Sequence, residues 1–260
     1  MSVTLLSAKN HLLKAIRRAA SQGGLTADGF ALAEGFHLWE EAQRSGVEIG
    51  AVILSESAQA RQTGWAGAHI EIVADSVFSG LTTTEHPQGV LALVRLPQWT
   101  LEDCFQGSMP TVVLDGVQDP GNAGAILRSA EAFGASGVIF LKGSVNPYNP
   151  KCLRGSAGSL FRVPVVASVD AAAVEAATKN YGRGAKLYAA APRATADLDR
   201  VDLASPCVIV VGAEARGVSP AIASRAELVR IPTRGVESLN AAVACAVILY
   251  EARRQRGSQR

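Results

Sequence analysis

At 260 residues and 27.0 kDa the chain can form one large domain or two modest ones with a sizeable core. Hydrophobic residues make up 48% and charged residues 18%, with 25 Gly and 11 Pro, which excludes disordered, collagenous and low-complexity classes. Net charge is only +2, divided as 7 Lys+Arg against 9 Asp+Glu in residues 1–98 (net −2) and 18 against 14 in residues 99–260 (net +4), and the C-terminal end carries a basic tail.

Strands alternate with helices almost throughout, the pattern of an α/β protein with a largely parallel sheet. Ala8–Ser21 reads as a helix, Phe30–Ala33 as a short strand and Glu34–Ser45 as a helix. Ile49–Leu54, His69–Val73 and Gly89–Arg95 read as strands. The stretch Leu96–Met109, with Pro97, Trp99 and Gly107, loses both periodicities and reads as a linker. The expected division is thus 1–98, a linker at 99–109, and 110–260. In the second part Thr111–Leu114 is an apolar strand, followed by a Gly/Pro turn and a helix to Phe133, then a strand at Gly137–Leu141. A turn rich in Asn and Pro leads to a helix near Leu153–Leu160 and a strand at Val163–Ala167. Asp170–Lys179 is helical, Lys186–Ala190 extended, Val208–Val211 a buried strand, Pro220–Arg225 a short helix and Leu228–Ile231 the last strand. Ser238–Arg254 is a long helix that is apolar around its whole circumference from Leu239 to Tyr250. An outer helix of a monomer shows one apolar stripe, so a second copy of the chain or enclosure within the fold is expected to cover it.

The longest apolar run, Ala241–Tyr250, is ten residues, half of the roughly 20 that a membrane-spanning helix needs. Residues 1–22 show helical spacing without the hydrophobic core of a signal peptide. Cys104, Cys152, Cys207 and Cys245 lie far apart with no C-x-x-C pair, which points away from a zinc site or disulfide framework and toward a reducing compartment. A cytoplasmic protein with no metal and no membrane contact is expected. No G-x-G-x-x-G, P-loop, G-x-S-x-G or H-E-x-x-H motif occurs. All four histidines fall in the first part, so the second has no histidine to serve as general base. Arg outnumbers Lys 19 to 6; the excess suits phosphate contacts and equally follows from a GC-rich genome.

Three loops follow strands of one sheet. The first, Asp115 to Ala130, carries a Gly/Pro turn and a helix for which Asn122 suits the N-cap; Ile126, Leu127, Ala130 and Phe133 make its apolar stripe, with Arg128 off it. Alone, it reads equally as a capped helix with a solvated arginine. The second, Gly212 to Pro220, puts a glycine at the end of an apolar strand, where a ligand can approach the backbone, with Glu214 beside it. The third, Ile231 to Asn240, crowds Ser238 and Asn240 at a helix start, where one cap explains only one of them. In open α/β sheets ligands gather at the carboxyl ends of strands, and three such loops together favour a site over three ordinary turns.

These loops, in this order and spacing, resemble the SpoU (TrmH-like) family of RNA ribose 2′-O-methyltransferases. Asn149 to Gly158 is similar to the family's segment between the first and second loops. Ser7-Ala8-Lys9-Asn10 with Lys14, Leu32-Ala33-Glu34-Gly35 and His86-Pro87-Gln88-Gly89 are similar to its substrate-binding domain, so the resemblance covers nearly the whole chain. It implies a C-terminal trefoil-knotted parallel-sheet domain beside a smaller α/β RNA-binding domain, S-adenosyl-L-methionine as cofactor, and a homodimer through the C-terminal domain. It implies cofactor contacts at Gly212, Ile231 and Leu239, and an active-site set of Asn122, Arg128, Glu214, Ser238 and Asn240. The chain departs from the family where a basic stretch often follows the first helix: Ser21–Gly29 has none. A ribose 2′-hydroxyl must lose its proton as it attacks the sulfonium methyl. Arg128 or Glu214 is the acceptor in this reading, and Arg128 alternatively binds phosphate or stabilises the alkoxide. Ribosomal RNA is the expected substrate; transfer RNA and a non-catalytic RNA-binding role are the alternatives.

Overall fold

The computed structural model describes residues 10–59 and 69–257; Ser7, Ala8 and Lys9 of the first motif lie outside them. The chain divides into two compact units.

The first unit begins with α1 (His11–Gln22), whose Leu13, Ile16 and Ala19 are buried. Asn10 Oδ1 accepts from Leu12 N at 2.8 Å to start the helix, and Gly23 in the left-handed region (φ 63°) ends it. There follow β1 (Ala31–Glu34), α2 (Phe36–Arg44), β2 (Glu48–Ser55), α3 (Glu56–Gln59), β3 (Ile70–Val73), α4 (Asp75–Ser79) and β4 (Val90–Arg95). The strands pair in the order β1-β4-β2-β3, with β4 antiparallel to both neighbours and β2 parallel to β3. Leu32, Ile53, Leu91 and Leu93 pack with Leu13, Ile16 and Phe78 in its core.

The second unit starts at Gln98. Here the structure corrects the expected linker: Cys104 and Phe105, in a short 3-10 helix, are buried in this unit's core, and Thr111 Oγ1 donates to Cys104 O at 2.7 Å. A single 3-10 turn repeats neither the helical nor the strand period, so the pattern hides two core residues. Next come β5 (Thr111–Asp115), α5 (Pro120–Phe133) and β6 (Gly137–Leu141). The chain then returns to the first unit: Tyr148–Phe161, containing α6 (Pro150–Ser156), clusters with it. The chain therefore divides near residue 98, but the first unit also takes in this later segment. In α6 Cys152, Leu153 and Ser156 are buried, and Arg154 Nη1 donates to Glu34 Oε2 at 2.7 Å and to Thr83 Oγ1 at 3.0 Å.

The second unit resumes with β7 (Val165–Val169), α7 (Ala171–Tyr181), β8 (Lys186–Ala190), β9 (Ala196–Asp197), β10 (Cys207–Gly212), α8 (Pro220–Ala223), β11 (Glu227–Arg230) and α9 (Ala241–Gly257). Its seven strands pair in parallel in the order β7-β6-β5-β10-β8-β11-β9. β5, β6 and β10 are buried along their full length, as central parallel strands covered on both faces must be. α9 passes back from β11 to pack on α5 and β10. It buries Ala241, Ala242, Cys245, Ile248, Leu249 and Ala252, while Val243, Val247 and Tyr250, at 49%, 36% and 58% exposure, form an apolar stripe open to solvent.

Candidate active site

Strand order reverses direction between β5 and β10, and the first two loops leave the carboxyl ends of those adjacent strands, the place where open parallel sheets gather ligands. The start of the first loop is held by Ser144, whose hydroxyl donates to Leu114 O and accepts from Gly116 N, both at 2.9 Å. Asp115, buried at the end of β5, accepts from Ser219 N at 2.6 Å and so staples the second loop to the first. Neither residue stood out in the sequence. A polar side chain directly after an apolar strand was the available signal for Asp115.

Asp119, not Asn122, is the N-cap of α5: its Oδ1 accepts from Asn122 N at 2.7 Å, and Pro120 takes the first helical position. A cap spends its side-chain oxygen on its own helix, whereas Asn122, one turn in, keeps its amide for the neighbouring loops. Asn122 Nδ2 donates to Glu214 Oε1 at 2.7 Å, and Asn122 Oδ1 accepts from Asn240 Nδ2 at 2.9 Å. Asn240 in turn caps α9, its Oδ1 accepting from Ala242 N at 2.9 Å and Val243 N at 3.3 Å. Two backbone donors fix the oxygen end of Asn240; its NH2 must then face Asn122, whose own NH2 must face Glu214. The three loops thus meet in one ordered amide relay that ends on a carboxylate.

Of the other expected site residues, Arg128 is exposed and off the buried stripe formed by Ala123, Gly124, Ile126, Leu127 and Ala130. It stands six residues, about 9 Å along the helix axis, beyond Asn122. Among the described residues Arg128 makes no ion pair, and Ser238 makes no side-chain hydrogen bond. Gly212 needs its missing side chain for the protein's own sake. A Cβ there would lie 2.2 Å from Gly217 C and 2.3 Å from Val218 N, because Ala213 and Gly217 close a tight two-bond turn over it. The close approach inferred for a ligand is made by the second loop itself. Ile231 and Leu239 bracket the third loop. Among the described residues none of the backbone N–H groups from Thr233 to Leu239 donates to the chain. This run of free peptide donors fits a cofactor held mainly by backbone groups.

The sequence model of the SpoU rRNA Methylase family matches residues 109–250. The chain belongs to this family. Residues 10–92 match the MRM3-like substrate binding domain. Among SpoU-type relatives, the 23S rRNA (guanosine(2553)-2′-O)-methyltransferase RlmP of Bacillus subtilis is 30% identical over 95% of this chain and 98% of its own. An uncharacterized tRNA/rRNA methyltransferase of Synechocystis sp. is 33% identical over 97% of this chain and 94% of its own. The crystal structure of the SpoU methyltransferase AviRb from Streptomyces viridochromogenes, in complex with the cofactor AdoMet, superposes with a TM-score of 0.84 at 28% identity. It covers 97% of this chain and 100% of that one. Among the described residues no helix is long and apolar enough to cross a membrane, and no group of three or more His, Cys, Asp or Glu is placed to hold a metal ion.

Proposed function

We propose that this SpoU-family chain transfers a methyl group from S-adenosyl-L-methionine to a ribose 2′-hydroxyl of ribosomal RNA, at the site where its three loops meet. The observation that carries the reading is the relay from Asn240 through Asn122 to Glu214 at the carboxyl edge of a parallel sheet. Family membership, ribosomal RNA methylation by full-length relatives and a cofactor-bound structure of the same fold support the substrate and cofactor classes. Bound beside Gly212, Ile231 and Leu239, the cofactor supplies an electrophilic methyl. The free peptide groups of the third loop suit its polar ends, and no step needs a metal.

The chain's own residues then have to position and deprotonate the hydroxyl. Glu214 is the acceptor: one oxygen is tied by Asn122, which aims the other. Arg128 is a donor only; its exposed guanidinium stabilises the developing alkoxide. Ser238 lines the same edge of the third loop. Residues 1–98, together with the α6 segment, bind the RNA; the match of residues 10–92 to a substrate binding domain supports that role, and the full-length 23S rRNA methyltransferase relatives favour ribosomal over transfer RNA. The all-parallel strand order with α9 returning onto α5 and β10 supports the family's trefoil knot in the second unit. The open stripe of Val243, Val247 and Tyr250 supports a homodimer through α9, which light scattering reads directly as twice the 27.0 kDa chain mass.

The deciding experiment incubates the protein with labelled cofactor and unmodified ribosomal or transfer RNA, then maps 2′-O-methyl stops. Wild type is expected to label ribosomal RNA at one nucleotide. Asn122→Ala and Arg128→Ala are each expected to lower the rate about 100-fold, as removal of one preorganised hydrogen-bond donor does. Label on transfer RNA alone, or an Arg128→Ala rate within about tenfold of wild type (roughly 1.4 kcal/mol of barrier), overturns the assignment.

A further inference from the structure

The rim of the site carries charges that its own loops leave unanswered. Four carboxylates lie in the three loops, and each has a partner. Asp115 takes Ser219 N, Asp119 takes Asn122 N, Glu214 takes the Asn122 amide, and Glu237 Oε1 takes Arg193 Nη2 at 2.8 Å. Arg216 and Arg234, in the second and third loops, are both exposed, and among the described residues neither makes a hydrogen bond or an ion pair. Glu237, three residues from Arg234, pairs with the more distant Arg193 instead.

Both arginines stand on closed turns attached to the amide relay. Arg216 follows Glu214 by two residues, within the turn closed by Ala213 N to Gly217 O at 3.0 Å and Gly217 N to Ala213 O at 2.8 Å. Arg234 precedes Asn240 by six residues, in a turn where Thr233 Oγ1 donates to Val236 O at 2.8 Å. Short turns of this kind hold the stem of a long side chain while leaving its head in solvent. A guanidinium fork without an internal anion, on each of two loops that flank a ribose site, matches the phosphodiester oxygens of a nucleic-acid strand.

We propose that Arg216 and Arg234 bind phosphodiester groups of the RNA strand flanking the target nucleotide, and so set the ribose against the Asn122–Glu214–Asn240 relay. This rests on the RNA-methyltransferase reading above. It replaces, at the methyl-transfer unit itself, part of the phosphate grip that the Ser21–Gly29 stretch, which has no Lys or Arg, does not supply. Both side chains work by positioning the substrate; neither takes part in proton transfer.

The test measures binding of an in vitro 23S ribosomal RNA transcript to the full chain over a range of salt concentrations. Removing one phosphate-binding charge should reduce the slope of log affinity against log salt by about 0.7–0.9. R216Q and R234Q are each expected to show that decrease, and the double variant about 1.5. R216K and R234K, which keep the charge, should restore the slope. R183Q is the charge control. Arg183 is exposed and unpartnered among the described residues, but it lies between α7 and β8, at the amino-terminal edge of the sheet, and its slope should equal wild type. S-adenosylmethionine affinity, read by calorimetry, should not change in any variant. A double-variant slope within about 0.5 of wild type overturns the proposal, as does an equal decrease in R183Q. Weakened cofactor binding with an unchanged slope also overturns it, because the arginines would then serve the cofactor carboxylate. If wild type methylates RNA while the slopes stay fixed, the proposal fails and the enzymatic reading stands. If the slopes fall as expected in a protein that transfers no methyl, the reverse holds.

Discussion

Replacing Arg154 should destabilise the first unit more than any surface ion pair could. Glu34 Oε2 receives Arg154 Nη1 at 2.7 Å, and the two side chains are only 4% and 28% exposed. Glu34 Oε1 already has no partner among the described residues. In Arg154→Ala the carboxylate therefore keeps its burial and loses its one charged donor, a change that costs about 3–5 kcal/mol in fully buried pairs. Truncation of a side chain that is a quarter exposed admits some water, so about 2–4 kcal/mol is expected here. Glu34→Ala should cost less, below about 2 kcal/mol, because the freed guanidinium can turn to solvent and an unanswered carboxylate oxygen is removed with the rest. With Glu34 gone, Arg154→Ala should then add little, giving a coupling energy of about 1–3 kcal/mol in the double-mutant cycle. Urea unfolding of the full chain by circular dichroism reads these differences as midpoint shifts at constant slope. Proteolysis within 148–161 reads the local loss. Arg154→Ala costing under about 1 kcal/mol, or less than Glu34→Ala, would refute the reasoning.

Two further outcomes follow from burial and close packing. Burial pushes the thiols of Cys104, Cys152 and Cys245 up to about 12 and that of Cys207 up to about 11. All four should react with a thiol reagent on the order of a hundredfold more slowly in the native chain than in urea. Because the folded state holds these protons more tightly, their contribution is complete below the ordinary thiol value near 8.5 and is lost as pH rises through 11–12. The urea midpoint should accordingly fall between pH 8.5 and 10.5; a flat or rising midpoint contradicts the burial. Gly212→Ala forces the Gly217–Val218 backbone away from a Cβ that would otherwise sit 2.2 Å from it. The expected cost is about 1–3 kcal/mol of stability and a loss of methyl transfer approaching 100-fold as Glu214 is displaced by about 1 Å; wild-type activity in that variant would refute the role given to the turn.

The strands of the second unit were the most legible part of the chain. Gly137–Leu141 and Lys186–Ala190 fall where the sequence puts them: the first, buried along its full length, writes itself as an unbroken apolar run, and the second as the apolar Leu-Tyr-Ala-Ala that follows Lys186. The short helices α3 and α4 and the two-residue β9 left no such trace; four or five residues complete barely one helical turn. At the site, the three loops were visible as polar clusters after strands, but the partition of roles inside them was not. Asn122 looked like a cap because it is a good capping residue near a helix start. Asp119 fits the same description three residues earlier and wins by preceding Pro120, which belongs at the first helical position. The bond from Asn122 to Glu214 joins residues 92 apart, and the one to Asn240 spans 118. Contacts of that range depend on which strands lie side by side, and local periodicity carries no record of strand order. The covering of α9 was half legible: its all-round apolar character was plain, while the split into a face packed on α5 and β10 and an open stripe needed the fold.

Division of labour between the two units is less clean than a boundary at residue 98 implies. The chain passes between them at 97–98, at 147–148 and at 161–162, so the substrate-binding unit includes a segment threaded through the middle of the methyltransferase sequence. Just before the second crossing, Ser144 Oγ accepts from Gly116 N, and Val145 N donates to Val117 O at 2.8 Å. The residues leaving the second unit are therefore bonded to the start of the loop that carries Asn122. Four residues lie between Val145 and Pro150, the first residue of α6, so the five steps of chain reach at most about 17 Å. Arg154, one turn into α6, is clamped to Glu34 at the end of β1. The partly buried ion pair between Arg154 and Glu34 thus ties the inserted α6 to β1 within the first unit itself.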